Sequence, residues 1–259
     1  VAISTAVRAY WLGSMPYREA WDLQKALVGA VGAGTHPPSL LLLEHPHVFT
    51  IGRRGDGSTL LWSEAECSRR GVEVVWTDRG GDATYHGPGQ LVGYPILDLT
   101  RLGSDVIRHI RCLELSLIGY LGTLGIAAEP GGPGLTGVWS EGGKVGAIGV
   151  KLTRPAPTAF VTSHGFALNL TTDLAIFNQG IVPCGLVGRH ATSVEALGGP
   201  VVEVSEAARR YPRHFTASFG VEVTWAESRE LRDLPVPLDE DLPAASGLSV
   251  LARTGGQHV

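Results

Sequence analysis

Val106, Ile110, Leu113, Leu117, Leu121 and Leu124 form an apolar stripe at helical spacing. Ser104 can cap its start, and Gly125 ends it as C-terminal glycines do. The pattern predicts a helix over Asp105–Leu124. A helix that is apolar on one side has to lay that side on another layer of structure, so the chain is expected to build a layered core. Two reactive side chains lie on this helix. His109 reads as solvent-facing and Cys112 as packing filler.

Around this helix the periodicity changes often. Pro16–Val31 reads as a helix that Pro16 opens, with Ala20, Leu23, Leu27 and Val31 on one face. Leu40–Leu43, Val48–Gly52, Val72–Trp76 and Leu91–Leu99 read as strands, and the polar, Gly-rich stretch Arg53–Ser58 as a loop. Val145–Leu152 and Phe160–Leu170 read as a hairpin joined through Pro155-Ala156-Pro157. Ser205–Phe219 is expected to be helical and disturbed at Pro212, with a last strand at Val221–Trp225. No repeat of 20–50 residues is visible. This irregular alternation predicts an α/β class of the mixed α+β kind, not a doubly wound sheet. Residues 1–226 are expected to form a single domain. Residues 227–259, rich in Pro, Ser, Asp and Glu and then in Gly, are expected to be a partly ordered tail without chemistry.

Composition removes several function classes. The 259 residues can bury a real core. With 44% apolar and 18% charged residues, disorder is excluded. The net charge of −4 and the lack of a one-sign block argue against nucleic acid as a partner. No apolar run is long enough to cross a membrane, and the N-terminus shows no signal-peptide pattern. Cys67, Cys112 and Cys184 are an odd set without CxxC spacing, so neither a disulfide framework nor a zinc site is expected. A reducing, cytoplasmic setting fits, with no metal and no cofactor. The positive charges are mostly arginine. Lys25, Lys144 and Lys151 are the only lysines.

Four segments carry possible chemistry. Arg79-Gly80-Gly81-Asp82-Ala83-Thr84-Tyr85-His86-Gly87-Pro88-Gly89-Gln90 holds four glycines in twelve residues. Such a run lets backbone approach a ligand closely, with Arg79 and His86 as polar contacts, and it reads equally as a pair of tight turns between strands. Lys144, on an expected strand, would share a face with Gly146 and Ile148, with Lys151 on the other. It is either a partly buried base or a surface lysine at a strand start. His164 shares a face with Phe166 and Leu168 and reads first as a satisfied core histidine. Cys184, between Pro183 and Gly185, is either a presented nucleophile or a small buried residue. Gly132-Pro133-Gly134-Leu135-Thr136-Gly137 fits Gly-x-Gly-x-x-Gly, but neither a strand before it nor a helix after it is expected, so the dinucleotide reading fails. A phosphate loop is absent.

Taken in order, these segments resemble the lipoyl(octanoyl) transferase family. The matching stretches are Glu44-His45-Pro46, Arg79-Gly80-Gly81 through Tyr85-His86-Gly87-Pro88-Gly89-Gln90, Lys144 through Ala147-Ile148-Gly149, His164-Gly165-Phe166-Ala167-Leu168-Asn169 and Pro183-Cys184-Gly185. Two departures stand out. Gly146 occupies a position that is often alanine, which should only loosen the strand, and the Arg154–Phe160 connection is longer than usual.

The resemblance implies a fold shared with biotin and lipoate protein ligases, a mixed sheet flanked by helices. It implies Cys184 as the acyl-accepting nucleophile and Lys144, not Lys151, as its partner. It implies an acyl pocket lined by Arg79, Gly80, Gly81, Asp82, Ala83, Thr84, Tyr85, His86, Ala147, Ile148, Gly149, Gly165, Phe166 and Ala167, with His164 in possible support. The implied donor is octanoyl-acyl carrier protein. The implied acceptors are lipoyl domains of 2-oxoacid dehydrogenase complexes and the glycine-cleavage carrier protein. Arg53, Arg54, Arg69 and Arg70 could receive an acidic carrier. Two other readings keep the fold or the pocket: an ATP-dependent lipoate or biotin ligase, which does not need Cys184, and an acyl-binding module without turnover.

Overall fold

The computed structural model describes residues 6–132, 134–141, 143–182, 190–232 and 234. The expected α/β class holds, as two sheets with helices on their faces. In chain order the elements are β1 (Ala6–Ser14), α1 (Tyr17–Ala33), β2 (Ser39–Glu44), β3 (Val48–Ile51), α2 (Glu64–Arg69), β4 (Glu73–Trp76), β5 (Ala83–His86), β6 (Gln90–Ile96), α3 (Val106–Thr123), β7 (Glu129–Pro130), β8 (Val138–Ser140), β9 (Gly143–Ala156), β10 (Ala159–Asn169), α4 (Leu174–Gly180), α5 (Val204–Arg210), α6 (Pro212–Phe219) and β11 (Glu222–Trp225). Among the described residues the larger sheet runs β11-β1-β2-β6-β10-β9-β8-β7 and the smaller runs β4-β3-β5. β1 lies parallel to β2 and β11, and the rest of the large sheet is antiparallel.

Strand β2 shows why the layers hold. Leu40, Leu41, Leu42 and Leu43 are all fully buried. Their side chains alternate: Leu40 and Leu42 enter the core under α3, α5 and α6, and Leu41 and Leu43 enter the core under α1. Each buried leucine contributes roughly 1.5–3 kcal/mol, so one short strand ties helices to both faces. A third apolar cluster, around Phe49, Tyr85 and Phe177, fills the small sheet. No helix among the described residues is long and apolar enough to cross a membrane.

Several local expectations are corrected. Asp105, not Ser104, caps α3, accepting the Arg108 N–H at 2.8 Å. The hairpin turns at residues 157–158, and β9 runs on through Pro155. β8 pairs only with the start of β9, so the missing Pro155 N–H falls where that side of β9 has no β8 neighbour. The expected 205–219 helix is two helices, broken at Tyr211, with Pro212 opening α6. Beyond β11, Ser228–Leu231 forms a 3-10 helix whose Leu231 joins the α1-side core, so the start of the expected tail packs on the domain.

His109 reverses its expected place. It is 1% exposed, whereas Cys112 is half-buried. The buried face of α3 is centred on His109, Leu113, Ser116, Leu117, Tyr120 and Leu121, a line at steps of three and four that the leucine stripe alone does not reveal. Neither ring nitrogen of His109 has a partner among the described residues, and Phe219 meets the ring edge-on. Burial pushes its pKa down to about 4. The unfolded chain therefore takes up this proton near pH 6.5 and the folded chain only near 4. The stability is whole above 6.5 and falls by roughly 3 kcal/mol as pH drops to 4. We expect His109→Leu to raise the urea midpoint much more at pH 5 than at pH 8. An equal gain at both would show that His109 does not drive the acid loss.

Candidate active site

A cavity of about 350 Å³ opens between the two sheets. Its walls come from the Arg79–Thr84 loop and β5, from β9 and β10, from Tyr17 at the start of α1, and from the 134–136 loop. Of the residues expected at the pocket, Arg79, Gly80, Gly81, Asp82, Ala83, Thr84, His86, Ala147, Ile148, Gly149, Gly165, Phe166 and Ala167 line it, together with Lys144 and His164. Tyr85 does not. Its ring is buried against Phe49 and Phe177, and its hydroxyl meets His47 Nδ1 at 2.7 Å. Cys184 and its neighbours from Pro183 to Arg189 lie outside the described residues.

The lysine reaches the cavity through a slip in register. Val138 pairs with Gly146, but Trp139 pairs with Lys144, so β9 carries one extra residue there. The alternation changes phase across it. Lys144 therefore sits on the face of Ala147 and Gly149, not with Gly146 and Ile148 as simple alternation predicts. Gly146 instead faces α3, where a Cβ would stand 3.3 Å from both Leu117 Cδ1 and Val138 Cβ. Glycine there makes close packing possible and does more than loosen the strand. Ile148 packs against the α3-side core, and the Phe166 ring meets Tyr211 in that core at a tilt, with ring centres 4.8 Å apart. The smooth part of the wall is then Ala147, Gly149, Gly165 and Ala167, with Ala147 opposite Ala167 and Gly149 opposite Gly165.

Lys144 is 7% exposed. Its Nζ donates to the Thr136 carbonyl at 3.0 Å and lies 5.0 Å from the Trp139 ring centre. Its backbone N–H donates to His190 O, and its carbonyl accepts from Thr192 N–H, both at 3.0 Å. On the other side of the 183–189 stretch, Val182 N–H donates to Thr59 O at 2.8 Å. Thr59 in turn donates its hydroxyl to Asp82 Oδ1 at 3.1 Å. The described residues flanking Cys184 are thus anchored to two walls of the same cavity.

Arg79 is buried and ties the loop to β3. Its Nε donates to Thr50 Oγ1 at 3.1 Å, Nη2 to the Thr50 carbonyl and Nη1 to the Gly80 carbonyl at 3.0 Å. Gly80 N–H donates to Val150 O at 3.0 Å, which lays the loop across β9. A Cβ at Gly149 would stand 2.8 Å from Gly80 O, so only glycine allows this approach.

The imidazoles around the cavity are neutral, and their partners fix their protons. Gln90 Nε2 donates to Tyr85 O and Asn169 Oδ1, so Gln90 Oε1 accepts from His86 Nδ1–H at 2.8 Å. His86 Nε2 is left as an acceptor. Burial, with help from His45, holds the His86 pKa well below the ordinary value. His45 Nδ1–H donates to Met15 O at 2.7 Å, and Nε2 accepts from the Tyr94 hydroxyl at 2.8 Å. Burial lowers its pKa to about 4. His164 Nε2–H donates to Asp78 Oδ1 at 2.7 Å, and Nδ1 accepts from Tyr17 Oη at 3.4 Å. Burial lowers His164 too, partly offset by Asp78. Burial alone would raise Asp78, but hydrogen bonds from His164 and Lys151 hold it well below the carboxylate range. Lys151, expected on the far face, bonds Asp78 Oδ2 at 2.6 Å beside His164. Among the described residues no three His, Cys, Asp or Glu side chains are grouped to hold a metal ion.

His164 is therefore a satisfied buried histidine and also part of the cavity wall. Among the described residues it is the one non-glycine at positive φ, at 55°, a strain of order 1–3 kcal/mol. Gln24 Oε1 accepts its backbone N–H at 2.7 Å. Sequence reasoning missed Tyr17, Tyr94, Arg54, Leu135 and Thr136 as lining residues. The Gly-rich 132–137 run held a usable signal. It opens onto β8 and not onto a helix, and a glycine-rich loop outside a dinucleotide setting still brings backbone to a site. Of the arginines expected to meet a carrier, Arg69 and Arg70 both pair with Glu66. Arg53 and Arg54 are exposed, and Arg54 lines the cavity.

Residues 16–216 match the lipoyl protein ligase A/B catalytic domain family. The chain is 48% identical over 212 residues to an octanoyltransferase of Solibacter usitatus, covering 82% of this chain and 92% of that one. It is 43% identical over 219 residues to an octanoyltransferase of Geobacter metallireducens, covering 85% and 96%. Its fold is that of lipoate protein ligases. It superposes on lipoate-protein ligase A bound with ATP at a TM-score of 0.68 and 16% identity, covering 87% of this chain and 90% of that one. The bi-partite lipoate protein ligase of Thermoplasma acidophilum gives 0.66 and 17%, covering 88% and 89%. The chain belongs to the octanoyltransferases of the lipoyl protein ligase A/B catalytic domain family.

Proposed function

We propose that this protein moves an octanoyl group from octanoyl-acyl carrier protein to one lysine of a lipoyl domain, by way of a thioester on Cys184. The observation that carries the reading is the anchoring around Lys144. Val182 is fixed beside the Asp82 wall, and His190 is bonded to the Lys144 backbone. Only Pro183 separates Val182 from Cys184 in sequence, a reach of at most about 7 Å, which supports the reading that Cys184 works with Lys144.

In the first step the Lys144 ammonium stabilises the Cys184 thiolate. The thiolate attacks the thioester carbonyl, the carrier's thiolate leaves, and Lys144 gives that thiolate its proton, which leaves the octanoyl thioester on Cys184 and a neutral Lys144 amine. In the second step the acceptor lysine amine attacks the new thioester, Lys144 takes the proton of that amine, and Cys184 leaves as thiolate. A thioester becomes an amide, which is downhill without ATP or another cofactor. Both ring nitrogens of His164 are engaged, so its role is to shape the wall and not to carry the proton. Arg53 and Arg54 offer an exposed positive rim to an acidic carrier protein. The acceptors we assign are lipoyl domains of 2-oxoacid dehydrogenase complexes and the glycine-cleavage carrier protein. A cytoplasmic setting keeps the thiol reduced.

The deciding experiment is intact mass after mixing with octanoyl-acyl carrier protein in the absence of ATP. We expect a hydroxylamine-sensitive octanoyl adduct on the wild type and none on Cys184→Ser. Acceptor octanoylation by both proteins, only with ATP and free octanoate, would identify a ligase and remove Cys184 from the mechanism.

Chain length offers a second test. A side chain at Gly149 would displace the Gly80 loop, so Ala147, opposite Ala167 in the open wall, is the cleaner position. Ala147→Leu should move the hexanoyl-to-octanoyl preference by about tenfold, the scale of one or two methylenes in an apolar pocket. Unchanged selectivity would place the alkyl chain elsewhere.

A further inference from the structure

The loop that holds Lys144 is itself held by a buried acid. Gly131, Gly132, Gly134 and Gly137 leave it few side chains with which to anchor. Gly131 N–H donates to Gly137 O at 3.0 Å, which closes the loop on itself. Its tether to the rest of the domain at Gly137 is Glu114 of α3, whose Oε1 accepts the Gly137 N–H at 3.1 Å. The neighbouring carbonyl, Thr136 O, accepts Lys144 Nζ. Glu114 is 1% exposed, and its other oxygen pairs with the half-exposed Arg111. A carboxylate buried beside Leu113 and Leu117 is a costly choice if packing alone were needed.

We propose that Glu114 is a positioning residue: by fixing Gly137 it sets the Thr136 carbonyl, and through that carbonyl the placement of the Lys144 ammonium in the cavity wall. The inference rests on Lys144 acting as the proton partner proposed above. It needs the carboxylate's reach to Gly137 and does not need its charge.

Two substitutions separate these properties. Glu114→Gln keeps the reach and loses the charge, and Glu114→Asp keeps the charge and falls short by one methylene. Two readouts apply to the full-length protein. One is the rate at which acetic anhydride labels Lys144, followed by peptide mass, with Lys25 and Lys151 as internal references. The other is kcat and KM for octanoyl transfer. We expect the Gln variant to stay within about twofold of wild type in both, and the Asp variant to label Lys144 several-fold faster and lose about tenfold in kcat at unchanged KM. Labelling of Lys25 and Lys151 should not change, and melting temperatures report that both variants fold. An Asp variant equal to wild type in either readout, or a Gln variant as impaired as Asp, overturns the proposal. Lys144→Met is run alongside. If it transfers octanoyl at the wild-type rate, the role given to Lys144 fails, while the labelling comparison still decides whether Glu114 places the amine.

Discussion

The pairing of β9 with β10 is the constraint on which both fold and site depend. Its register sets Ala147 against Ala167 and Gly149 against Gly165, and it sets Ile148 against Phe166 between them. The small pairs open a trough on the α1 face, and the large pair fills the core on the other. A slip of one residue would exchange the faces. It would drive the Phe166 ring into the cavity and leave a hole beside Tyr211. The register that buries the core is therefore the same register that empties the site. The extra residue opposite β8 then turns Lys144 from the core face to the trough, a change that strict alternation could not make.

The histidine part of the wall is neutral, while Arg79, Lys144 and Asp82 carry the charges elsewhere on the lining. His45, His86 and His164 each give one proton to a fixed acceptor, and the Tyr17 and Tyr94 hydroxyls donate to two of the nitrogens that remain. Burial raises both phenols, so they remain donors at neutral pH. Leaving such groups unpaired would cost a few kcal/mol each. The half-buried carboxylate beside them, Asp78, is matched by His164 and Lys151. An alkyl chain lying along this histidine and tyrosine side of the cavity meets dipoles already satisfied by one another.

Much of this was legible in the sequence, and the failures have physical causes. α1, α3, β2, β3 and the long hairpin showed because each carries a local period and a local terminator. β1 did not, because its partners β2 and β11 define it, and β11 lies at the far end of the chain. The short helices α2 and α4 offer barely two turns of pattern. His109 was misplaced because a histidine reads as polar, while the i+4 line through Leu113 and Leu117 governs its position. The pocket residues came from a resemblance in motif order and not from composition. The structure gathers them around one cavity, with Tyr85 as the exception, since its place on the opposite side of β5 depends on the small sheet's own core. Tyr17 and Tyr94 had no signal to distinguish them from packing residues.

The two lysines of β9 differ in what their side chains meet. Lys151 meets a carboxylate, Asp78, at 2.6 Å. Such a partner favours the charged amine alone and binds it most strongly when it cannot accept a proton. Lys144 gives its Nζ to a backbone carbonyl and faces an indole ring. A carbonyl accepts an N–H from the ammonium and from the neutral amine alike. The same contact therefore holds the side chain in place before and after a proton moves. That suits the proposed mechanism, in which this amine gives up a proton in the first step and takes one from the acceptor lysine in the second.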